Sequence, residues 1–116
     1  MTIPSPIDIA RRLIQFKSVN PPGGEQQVQE YLRDLLSSAG FEVDFLTKQA
    51  GRPNLVTRLN GAGERPPLLF YGHSDVVGTN GQRWKLPPFE GAVENGLLYG
   101  RGALDMKAGI AMLVHA

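Results

Sequence analysis

The first forty residues carry two helical stripes of apolar positions. Ser5-Pro6-Ile7-Asp8 sets up a helix start. Ser5 would cap it, Pro6 suits the first helical position, and Asp8 closes a capping box. Ile9, Leu13 and Phe16 then recur near one face. Asn20-Pro21-Pro22-Gly23-Gly24 stops that helix, and a second is expected from about Glu25. Val28, Tyr31, Leu32, Leu35, Leu36 and Ala39 form its stripe, with Gly40 as the stop. The period then changes to two. Phe41, Val43 and Phe45 alternate with Glu42 and Asp44, which predicts a half-buried strand, and Asn54 to Leu59 predicts another. Leu68-Leu69-Phe70-Tyr71 is a continuous apolar run, the pattern of a buried central strand. Ala92 to Tyr99 reads as a hairpin turning on Asn95-Gly96. From Met106 to Ala116 the chain is apolar almost all round, as in the first turns of a buried helix. No Gly, Asn or Pro closes that helix. The expectation is therefore the front part of something longer.

The chain has 116 residues, enough for one domain with a core. Its 14 Gly and 9 Pro predict many shaped loops, concentrated from Gly72 to Gly102. Lys+Arg 12 against Asp+Glu 11 gives a net charge of +1. That balance gives no electrostatic support to a nucleic-acid or anionic-membrane partner. No apolar run approaches a membrane span, and the N-terminus has no signal-peptide pattern, so the reading is cytoplasmic. With no Cys, disulfides and thiolate chemistry are excluded. Any metal must be held by His and carboxylates.

Two stretches could carry chemistry. In Tyr71-Gly72-His73-Ser74-Asp75 a strand runs into His73, and Asp75 lies two residues on. Side chains at that spacing on an extended segment point the same way. An Asp beside a His can accept the proton of one ring nitrogen and leave the other free as a metal ligand. From His-x-Asp alone, a strand-end His and a turn Asp without a task is the simpler reading. The second stretch is Gly100-Arg101-Gly102-Ala103-Leu104-Asp105, two bends and then a carboxylate before the apolar helix. Alone, Asp105 reads as an N-cap. The segment lacks the further residues of either nucleotide-binding glycine motif. The Trp84 to Phe89 loop reads as packing over the sheet, and His115 as a satisfied core histidine.

Together these pieces resemble one family. Gly72-His73-Ser74-Asp75-Val76-Val77, Trp84…Pro87-Pro88-Phe89 and Asn95 to Lys107 follow one another at family-like spacing, and the helices and the Ser18 to Gly23 loop agree. The family is that of the zinc metallopeptidases grouping acetylornithine deacetylase, succinyl-diaminopimelate desuccinylase, aminoacylase and glutamate carboxypeptidase. The resemblance implies that His73 is a metal ligand, that Asp75 orients its imidazole, and that Asp105 bridges two metal ions. It implies a cis Asp105–Met106 peptide. The implied cofactor is Zn²⁺, two per complete site, with Co²⁺ or Mn²⁺ able to substitute. The implied reaction is amide hydrolysis of N-acyl amino acids or small peptides, by an enzyme that pairs into a homodimer. The family's Glu-Glu pair, later ligands and dimerisation domain are not in this sequence. The expected fold class is α/β, a mixed sheet with helices on its faces. Residues 1–116 would be the N-terminal portion of the catalytic domain. The alternative is a truncated, inactive remnant or a binding fragment.

Overall fold

A computed structural model describes residues 2–116. Helix α1 spans Pro6–Gln15, and Ser5 caps it as the sequence predicts, its Oγ accepting from the Asp8 backbone N–H. Such a cap stabilises a helix by about 1 kcal/mol. Ile9, Ala10, Leu13 and Ile14 are its buried face. Helix α2 spans Gln26–Ser38 and buries Val28, Leu32 and Leu36. Strands β1 (Glu42–Leu46) and β2 (Asn54–Arg58) pair antiparallel, with Val43 opposite Thr57 and Phe45 opposite Leu55. Those four side chains share the half-buried face of the pair, and α2 packs on both strands. The short hairpin β3 (Val93–Glu94) and β4 (Leu97–Leu98) turns through Asn95 and Gly96, both with positive φ, as a tight hairpin requires. Helix α3 spans Ala108–His115 and packs against α1. Ile9, Ala10, Leu13, Val28, Leu32, Ile110 and Ala111 form the core where the three helices meet.

The α/β class stands, with the strands in two separate antiparallel pairs rather than one mixed sheet. Parallel pairing is confined to one bridge, Val19 with Val76. Residues 68–71 lie outside any strand, and Leu68 and Tyr71 are 79% and 87% exposed. A central strand needs hydrogen-bonding neighbours on both sides, and among the described residues none flanks this run. The apolar helix α3 is likewise buried on one side only, with Met112 exposed. His115 is exposed at its end, with Nδ1 3.2 Å from the Pro4 carbonyl, rather than a core histidine. Among the described residues no helix is long and apolar enough to cross a membrane.

Two polar anchors tie distant segments together. Lys107 is fully buried, and its Nζ donates to the Leu13 carbonyl (2.7 Å) and the Phe16 carbonyl (2.8 Å) at the end of α1. Burial pushes its ammonium down to about 8. Arg52 donates through Nε and Nη2 to the Glu25 carboxylate, at 2.7 Å for the shortest contact. The Arg52 guanidinium holds Glu25 below the usual carboxylate range, outweighing the opposite effect of burial. A lowered carboxyl pKa contributes stability above the unfolded value of about 4.3, lost as pH falls through the folded value. The stability advantage of the native chain over Glu25→Gln is therefore expected to hold at neutral pH and shrink on acidification below that value. Urea unfolding of both chains across pH 3–7 checks it (roughly, the window set by the carboxyl pKa).

Candidate metal centre

The segment bearing His73 and Asp75 is held by the loop that follows α1. Ser18 Oγ donates to the Ser74 carbonyl at 2.6 Å, the Val76 N–H donates to the Ser18 carbonyl at 2.9 Å, and the Asn20 N–H returns to the Val76 carbonyl at 2.8 Å. This pairing keeps 74–76 extended, so His73 and Asp75 project together. His73 Nδ1 lies 3.0 Å from Asp75 Oδ1. Asp75 Oδ2 accepts from Asn20 Nδ2 at 3.0 Å.

Asp105 arrives from the opposite side. The chain enters its turn through Gly102 at φ +87, and the Lys107 N–H donates back to the Gly102 carbonyl at 2.8 Å. A Cβ on Gly102 would stand 2.8 Å from Val76 Cγ1 and 3.2 Å from Lys107 Cδ, so glycine is needed on both counts. Asp105 (φ −127, ψ 94) and Met106 (φ −140, ψ 33) are not helical. Asp105 is therefore not the N-cap that its position before α3 suggests. The Asp105–Met106 peptide is cis, as the resemblance implies. The carboxylate reaches His73, with Oδ1 3.0 Å from Nε2.

Both imidazole nitrogens thus face carboxylates. Burial pulls the His73 pKa down, but the hydrogen bonds to Asp105 and Asp75 outweigh it, leaving the ring above its usual value. Asp75 is held below the usual carboxylate range, first by the Asn20 amide, against burial, and then by His73. Two grooves open onto this cluster. One, of about 590 Å³, runs between Arg52, Gln29 and His73. The other, of about 260 Å³, lies between Arg101, Leu104 and Asp105.

The donor set fits part of a metal site. Imidazole and carboxylate are ordinary Zn²⁺ ligands, and two donors on one tetrahedral zinc at about 2.0–2.2 Å stand roughly 3.3–3.6 Å apart. The Nε2–Oδ1 separation of 3.0 Å is that of a direct hydrogen bond, a little shorter than that spacing. A catalytic zinc takes about three protein ligands. Among the described residues no group of three or more metal-ligating side chains converges. Sequence reasoning brought His73, Asp75 and Asp105 forward. It gave no role to Asn20 or Lys107, which entered only as members of longer motifs. Trp84 packs on Arg101, the guanidinium carbon 5.1 Å from the ring centre.

The family model described as "Peptidase family M20/M25/M40" matches residues 69–116, which hold His73, Asp75 and Asp105. Over 120 residues the chain is 44% identical to the succinyl-diaminopimelate desuccinylase of Zymomonas mobilis, covering 100% of this chain and 31% of that protein. It is 44% identical over 117 residues to the protein of that name from Methylorubrum extorquens, covering 97% of this chain and 29% of the relative. For that of Halorhodospira halophila the identity is 42% over 111 residues, with 95% and 28% covered. The chain spans about three-tenths of the length of these relatives.

Proposed function

The chain belongs to peptidase family M20/M25/M40, and we propose that it supplies the first metal-binding residues of a metal-dependent amide hydrolase. One observation carries the reading: an imidazole whose Nδ1 is held by Asp75 and whose Nε2 meets the Asp105 carboxylate at 3.0 Å. His73 and Asp105 would hold the metal, in full a pair of Zn²⁺ ions. A metal bound there acidifies water and polarises a carbonyl. Asp75 accepts the Nδ1 proton, which keeps Nε2 as the ligating atom. The substrate class is the N-acyl amino acid or small peptide, with N-succinyl amides first, given the relatives' names. Residues 1–116 correspond in this reading to the N-terminal portion of a catalytic domain, within an enzyme that forms homodimers.

The test is a chimera in which this chain replaces the matching part of the Zymomonas mobilis relative. With zinc, it is expected to release succinate from N-succinyl-diaminopimelate. A folded chimera that takes up no zinc and shows no hydrolysis would overturn the reading. The 116-residue chain by itself is expected to bind zinc weakly and to leave N-acyl amino acids intact. It offers two ligands where about three are usual, and no Asp or Glu follows Asp105 to serve as general base. Calorimetric zinc titration and an assay across a panel of N-acyl amino acids measure both.

A further inference from the structure

We propose that Asn20 is a positioning residue for the His73 imidazole: its side-chain amide fixes the Asp75 carboxylate, and Asp75 fixes the ring. The two oxygens of Asp75 are divided between two partners. Oδ1 faces His73 Nδ1 at 3.0 Å, closer than the Asp75 carbonyl oxygen at 3.1 Å, and Oδ2 accepts from Asn20 Nδ2 at 3.0 Å. A carboxylate held at one oxygen can swing about its last torsion, which is soft and roughly two-fold. Held at both, it cannot turn without breaking a hydrogen bond.

Asn20 is itself aimed by the backbone. Its N–H donates to the Val76 carbonyl at 2.8 Å, one residue beyond Asp75. Its neighbour Val19 forms the parallel bridge with Val76. The loop is therefore anchored to the 74–76 segment by backbone bonds and by Ser18 Oγ on the Ser74 carbonyl. The Asn20 side chain makes its hydrogen bond to Asp75 alone. An amide nitrogen donates without carrying charge, so it holds the carboxylate and leaves the negative charge for the imidazole. The purpose of the relay rests on the reading of His73 as a metal ligand. The relay itself can be measured without metal, so failure of one is distinguishable from failure of the other.

The experiment follows the His73 Nδ1 proton in the ¹⁵N-labelled, metal-free 116-residue chain at neutral pH. His73→Gln identifies the resonance. In Asn20→Ala, exchange of that proton with water is expected to rise about tenfold, the scale of one lost hydrogen bond to a charged group. The backbone amide spectrum should stay native. Ser18→Ala cuts the other side-chain tie between the loop and the 74–76 segment. It is expected to lower Tm yet leave the His73 exchange rate within about twofold, as for a site outside the relay. If Asn20→Ala loses the native spectrum, Asn20→Leu decides instead: it keeps the approximate shape, removes the donor without adding charge, and should give the same acceleration. Unchanged exchange in the folded Asn20 variant would overturn the proposal. Equal acceleration by Ser18→Ala would overturn it too, because the loop as a whole would then position Asp75.

Discussion

His73→Ala in the chimera is expected to leave the protein folded, strip it of most of its zinc and lower kcat/KM by about a thousandfold or more. The imidazole is half exposed and contributes nothing to the three-helix core, so its removal costs little stability. It is also the one nitrogen ligand that the candidate site offers. Asp75→Asn should differ in kind. The amide can still face Nδ1 but is a weaker, uncharged acceptor that no longer raises the ring's basicity, and loss of an outer partner typically costs about 10–100-fold. Zinc content would then be largely kept while turnover falls. Metal analysis of both purified variants beside kcat/KM gives the comparison. Wild-type zinc and rate in His73→Ala would remove His73 from the site.

The second large effect is expected at Lys107, and on stability. Lys107→Ala should lower unfolding free energy by about 3 kcal/mol, from the buried stem at about 0.8 kcal/mol per CH₂ and the donor lost to two carbonyls. Relief of the buried charge offsets part of this. Lys107→Met keeps the stem and should lose roughly half as much. Urea unfolding of the three chains ranks them. A Lys107→Met chain more stable than the native one would show that the ammonium holds α1 at a net cost.

Much of this was legible in the sequence where contacts are local. The Ser5–Asp8 cap, the stripe of α2, the alternation of β1 with β2 and the Asn95-Gly96 hairpin all came from spacings of two to four residues. His73 and Asp75 were readable for the same reason, being two residues apart on an extended segment. What failed was inference about partners. Leu68 to Tyr71 is as apolar as a central strand, but apolarity does not supply the neighbouring strands that a ladder needs. Lys107 drew no reading of its own, since nothing near it in sequence announces carbonyls at positions 13 and 16. The Asn20–Asp75 bond spans 55 residues, and the His73–Asp105 contact 32. The second became visible only through likeness to a family.

The anchoring of α1 also sets an order of events during synthesis. Its partners are Gly91, whose carbonyl accepts from Arg11 Nε 80 residues away, and Lys107, 94 residues beyond Leu13. At about 5–20 residues per second on the ribosome, α1 waits roughly 5–20 s for the segment that secures it. In that interval its apolar face is short of its permanent cover, and an isolated helix of 10 residues is marginal in water. Closing such distant contacts is slow for a chain of this size. Helix α1 is thus made before α2 and α3 yet secured late, and the nascent chain depends through that wait on whatever shields its hydrophobic face.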